Sequence, residues 1–163
     1  MSDNQAEREI YEEIKSRVWE ILEKSDNHSA VLHLDGVAML CAFIGLKRGL
    51  DVEICRCAGL FHDLWMYRHG FPLEGDLHSR HGYLGSELAR EILLENGGYS
   101  AEKIEIICQM VYNHNDKNIV HDEHSEALKD ADALQHYLND SNYDRRYNYH
   151  GRIEKMFAEF MIK

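Results

Sequence analysis

The sequence predicts an all-α fold, an orthogonal bundle of about seven helices. Three observations carry this. Proline occurs once in 163 residues, at Pro72, so obligatory helix breakers are scarce. Apolar residues recur at helical spacing over most of the chain, with no alternating strand pattern and no hairpin turn. No heptad persists, which argues against a coiled coil.

The elements follow in order. Residues 5–24 place Ile10, Ile14, Val18, Ile21 and Leu22 on one face, with Trp19 beside it, until Ser25-Asp26-Asn27 ends the run. A second helix is expected from about Ser29 to Arg48, stopped by Gly49. Asp51 can cap a third, from Val52 to about Tyr67. Residues 69–79 hold Gly70, Pro72, Gly75 and Asp76 and read as a loop. A fourth helix runs from about Arg80 to Glu95, and Ser100 caps a fifth that reaches about Asn113. Residues 114–124 are polar and read as a second loop. The sixth helix covers about Ser125–Asn139 and the seventh about Tyr143–Met161. The expectation is a single domain over residues 1–163, with its core in 28–140 and the first and last helices packed on it.

Composition bounds the function. A net charge of −11, from 18 basic and 29 acidic residues, disfavours long nucleic acid, which needs clustered cations. A small phosphorylated substrate stays open, because a bound cation can reverse the local field. Cys41, Cys55, Cys57 and Cys108 lie in apolar helical segments without CxxC spacing and read as core residues of a reducing compartment. The first residues are polar and acidic, unlike a signal peptide. The longest unbroken apolar run, Val37–Leu46, falls far short of the roughly 18 residues of a membrane span. A cytoplasmic protein with no membrane partner is expected. The N-terminal helix is read as packing on the bundle, with a homodimer surface as the alternative.

Eleven histidines are present, and four fall on apolar stripes. His33 aligns with Val37, Leu40 and Ile44. His62 aligns with Cys55, Ala58 and Trp65. His81 leads Leu84, Leu88 and Ile92, and His114 follows Ile104, Ile107 and Val111. One core-facing histidine needs only a hydrogen-bond partner. Four, with Asp63 beside His62, would each cost about 1–3 kcal/mol if buried unsatisfied. A divalent cation satisfies them together, since imidazoles and carboxylates suit Zn, Fe, Mn, Ni or Co. A further carboxylate is expected from Leu128-Lys129-Asp130-Ala131-Asp132-Ala133-Leu134. Asp130 and Asp132 flank Ala131 on opposite sides of the stripe, and periodicity does not choose between them.

This ordered set resembles the HD superfamily of metal-dependent phosphohydrolases. The family pattern is a histidine, a His-Asp doublet and a distant aspartate, all on helices. The doublet sits in Ala58-Gly59-Leu60-Phe61-His62-Asp63, and His33 lies twenty-nine residues before it. His28-Ser29 is similar to the family's frequent His-Ser start, but its spacing and face favour His33. The motif Ala131-Asp132-Ala133-Leu134 is similar to the family's closing aspartate, which favours Asp132. His81 with Gly85, and then His114, resemble the extra ligands of members that carry two metals. The resemblance thus implies an HD-domain-like fold and a dinuclear centre. His33, His62 and Asp132 would serve one metal, His81 and His114 the other, and Asp63 would bridge. Two departures stand out. Leu64-Trp65 follows the doublet where many members have a small residue, and Met66 stands where one nucleotide-cleaving subgroup has lysine.

The implied activity is hydrolysis of a phosphate ester or anhydride, of a nucleotide for preference, by metal-activated water. Arg68 and Arg80 are candidate phosphate clamps, and His69 a candidate acid for the leaving group. Residues 66–79 and 115–124 are expected to rim the pocket. Two other readings share the ligands: a di-iron oxygenase acting on a small organic substrate, and a regulatory module that binds metal or nucleotide without turnover.

Overall fold

The computed structural model describes residues 3–25, 27–70, 76–139 and 149–160. Eight α-helices lie among them: α1 (Asp3–Lys24), α2 (His28–Arg48), α3 (Val52–Phe61), α4 (Leu64–His69), α5 (Leu77–Asn96), α6 (Ala101–Asn113), α7 (Glu123–Asn139) and α8 (Arg152–Glu159). A 3-10 turn, Tyr149–Gly151, leads into α8. The all-α prediction holds.

Local chemistry explains most boundaries. Gly49 ends α2 in the left-handed conformation, φ 73°, which glycine adopts without a Cβ penalty. The Asp51 carboxylate accepts from the amides of Glu53 and Ile54 at the start of α3. Ser100 caps α6 through the Lys103 amide. Asp122 accepts from the Ser125 amide at 3.0 Å, which sets α7 going slightly before the expected Ser125.

Two expected helices are corrected. The single helix foreseen over Val52–Tyr67 is broken at His62–Asp63 into α3 and α4. Asp63 leaves helical geometry, with φ −113° and ψ 7°, and its carboxylate does not cap α4. It is committed to imidazoles on other helices instead. Among the described residues the last α-helix begins at Arg152, because His150 (φ 58°) and Gly151 (φ 67°) are left-handed and no α-helix runs through them. Tyr143, Tyr147 and Met161, assigned to that helix, lie outside the described residues, as do Phe71 and Pro72 of the expected rim.

One buried apolar cluster draws on every helix, including Ile14, Leu34, Phe61, Leu64, Leu88, Ile107, Leu128 and Ile153. α2 lies centrally, packed on α3 and α7. By length and composition alone, Ser29–Arg48 is apolar enough to cross a membrane. Yet Leu34, Val37, Cys41 and Ile44 are buried against the rest of the bundle, as in a core helix. α1 packs on α2, α3, α4 and α5 through Tyr11, Ile14, Val18 and Leu22. All four cysteines are free and buried.

The α2–α3 approach positions the site. A Cβ on Gly59 would lie 2.5 Å from the Ala38 Cα and 2.7 Å from its nitrogen. Only glycine lets the two backbones come this close, one turn before His62 and on the same facing helix that carries His33.

Candidate metal centre

His33 comes from α2, His62 and Asp63 from the break between α3 and α4, His81 from α5, His114 from the end of α6, and Asp132 from α7. The structure brings all six together. They form two groups whose ligand atoms lie within 4.8 Å of one another: His33, His62 and Asp132, and Asp63, His81 and His114.

In the first group, the Nε2 atoms of His33 and His62 are 3.1 Å apart. Asp132 Oδ1 lies 3.5 Å from the first and 3.7 Å from the second. In the second group, the Nε2 atoms of His81 and His114 are also 3.1 Å apart, and Asp63 Oδ1 lies 3.4 Å and 3.2 Å from them. Asp63 Oδ2 faces the other way, 3.4 Å from His62 and 3.8 Å from His33. One carboxylate therefore spans both groups.

Backbone carbonyls orient two of the rings. His62 Nδ1 is 2.8 Å from Gly59 O, and His114 Nδ1 is 2.6 Å from Val111 O. A carbonyl only accepts, so each Nδ1 carries a proton and each ring turns its other nitrogen, Nε2, into its group. This is the usual second partner of a metal-bound histidine.

The donor set fits divalent cations. Ligand atoms roughly 3 Å apart are what bonds of about 2.0–2.2 Å around one ion require. Asp132 Oδ1 is buried and has no hydrogen-bond partner, a costly state for a carboxylate oxygen unless something positive meets it. The electrostatics agree. Burial opposes ionisation of Asp63, but His62 and His114 overcome it and hold its carboxyl well below the usual carboxylate range. Asp132 is likewise held down, against burial, by Lys117, His136 and His62. Burial, then repulsion from His62, pushes His33 down to about 4. Burial also works against charge on His62, yet Asp63 and Asp132 raise it. The cluster thus attracts positive charge.

A family model for the HD domain matches residues 31–137. The chain belongs to the HD domain family. No curated protein and no solved structure matches it. The matched segment contains all six residues and begins beyond His28, which starts α2.

The HD domain also separates the two aspartates that periodicity left equivalent. Asp130 is drawn into a different network, 2.7 Å from Arg48 Nη2 and 2.7 Å from Arg152 Nη1, and Asp132 alone of the two faces His33 and His62.

The candidate phosphate contacts line grooves whose walls include none of the six. Arg68 lines an open groove with Glu13, Arg17 and Leu88. The exposed His69 stacks on Trp65 and donates from Nδ1 to the Trp65 carbonyl. Arg80 borders a depression with Tyr83, Tyr112 and Asp116. Met66 is buried. Two residues that sequence reasoning missed do reach this HD domain's cluster. Lys117 Nζ is 2.6 Å from Asp132 Oδ2. His136 Nε2 is 3.4 Å from Asp132 Oδ1, with its ring 5.0 Å from that of His33. His136 was recoverable, since it lies one helical turn after Asp132. Lys117 carries no such signal, being one cation in a polar connection.

Proposed function

We propose that this HD domain is a metal-dependent phosphohydrolase that binds two divalent cations and cleaves a phosphate ester or anhydride of a small molecule, with a nucleotide as the favoured class. The observation that carries the reading is the position of Asp63, whose two oxygens face two separate imidazole pairs. His33, His62 and Asp132 would hold one cation, His81 and His114 the other, with Asp63 shared.

Such cations supply Lewis acidity and lower the pKa of water bound to them. The protein's own residues supply the rest. His62 and His114 are locked by carbonyls, so their lone pairs need no reorganisation. Asp63 and Asp132 contribute only two negative charges, so about two positive charges remain in excess when two divalent ions are bound. Lys117 adds another. An anionic substrate is therefore favoured at this spot in a chain whose net charge is −11. His136 is partly exposed beside Asp132, where it can hold or pass a proton at Nε2. A cytoplasmic location is consistent with the four free cysteines.

The test is phosphate release from a panel of nucleotides and simple phosphate esters, by protein stripped with chelator and reloaded with Mn²⁺. Release that requires the metal and is lost in Asp63→Ala supports the reading. No release from any member of the panel by metal-loaded protein, with oxygen uptake on a small organic substrate, would replace it with an oxygenase.

A further inference from the structure

Asp132 offers two oxygens, and the structure treats them differently. Oδ1 is the buried atom that faces His33 and His62 without a hydrogen-bond partner. Oδ2 is met by Lys117 Nζ at 2.6 Å, from a side chain only 10% exposed. An ammonium seated on Oδ2 fixes the carboxylate's rotation and leaves Oδ1 toward His33, His62 and His136.

The segment that carries Lys117 is itself anchored. Lys129 of α7 is wholly buried and donates to the Ile119 carbonyl at 2.8 Å, to His121 Nδ1 at 2.6 Å and to Glu126 Oε1 at 2.9 Å. The His121 amide reaches the same Glu126 oxygen. At its other end the connection leaves α6 in a tight turn, with the Asp116 amide bonded to Asn113 O and the Lys117 amide to Asn115 O. Lys117 thus sits between two tethered points, in a short connection whose bonds would break if it moved far.

We infer that Lys117 is a positioning residue. It holds Asp132 through Oδ2 so that Oδ1 alone is presented to a cation bound with His33 and His62. This rests on the metal-site reading above. Partners that orient a ligating carboxylate are commonly worth 10–100-fold in metal affinity. The opposite expectation follows if the lysine merely adds charge. A cation beside a cation site repels it, so removing the lysine would tighten binding. The two roles differ in sign.

The experiment is Co²⁺ binding to the full chain stripped with chelator, measured by calorimetry with chelator competition. Wild type, Lys117→Arg, Lys117→Gln and Lys117→Met are compared, and circular dichroism of each metal-free protein serves as the folding control. Lys117→Met is expected to weaken one binding event by about 10–100-fold and leave the other unchanged. Gln, which retains a shorter donor, should fall between Met and wild type, and Arg should restore most of the affinity. Folded Met or Gln variants that bind Co²⁺ as tightly as wild type, or more tightly, would overturn the role of Lys117 alone. Wild-type protein that takes up no Co²⁺ would overturn the metal-site reading and this role with it.

Discussion

His33 and His62 stand twenty-nine residues apart in the chain and 3.1 Å apart at their Nε2 atoms. The Nδ1 proton of His62 is committed to Gly59 O, so a lone pair points at His33. Two such rings stay together only with a proton or a cation between them. The His81–His114 pair repeats the arrangement at the same distance.

The two pairs should therefore lose metal separately. His33→Ala is expected to release the ion of its own group and leave the other, and His81→Ala the reverse. Elemental analysis of the two variants checks this, and loss of all metal from either would show one shared site.

Asp130 and Asp132 should behave differently on substitution. Asp130 bridges half-buried Arg48 and buried Arg152, so Asp130→Ala leaves both cations short of a partner. A loss of about 3 kcal/mol is expected in denaturant unfolding, with metal content intact. Asp132→Ala should reduce metal content. An Asp130 variant that loses metal would reverse the assignment.

His33 gives the metal-free protein a pH dependence. Its pKa is pushed down from 6.5 to about 4, first by burial and then by His62. Between those values the unfolded chain binds a proton here that the folded chain does not. This residue's share of stability therefore falls as pH drops from 6.5 to 4 and is flat on either side. The raised His62 acts above this window and the depressed Asp63 below it. Measured in chelator, His33→Gln should gain stability relative to wild type as pH is lowered from 6.5 to 4. A constant difference would contradict the shift.

Much of the site was legible because burial writes a periodic signal. His33, His62, His81 and His114 each share a stripe with residues such as Val37, Ala58, Leu88 and Val111, all of which the fold buries. Three things left no such signal. The break at His62–Asp63 needs no glycine or proline, because side-chain partners on four other helices hold it. Asp130 and Asp132 are symmetric about Ala131 until Arg48 and Arg152 claim one of them. Lys117 matters through a contact across the α6–α7 connection, which local sequence does not encode. Arg68, His69 and Arg80 have the right chemistry for phosphate, and they line grooves whose walls include none of the six cluster residues.

Gly59 links fold to site. A methyl group there meets the Ala38 backbone at 2.5–2.7 Å, and helix backbone does not yield as a side-chain tip does. Gly59→Ala is expected to cost about 3 kcal/mol and to weaken metal binding by parting α3 from α2. Unchanged unfolding and metal affinity would show that the approach is not needed.

The shared carboxylate of Asp63 is tested most directly by metal content. Elemental analysis of wild type and Asp63→Ala, each reconstituted with Mn, Fe, Ni or Zn, is the measurement. About two ions per folded chain in wild type, with loss from both groups in the variant, is the expected result. Wild-type protein that retains no metal, or an Asp63→Ala protein that keeps its full complement, would contradict the proposed centre.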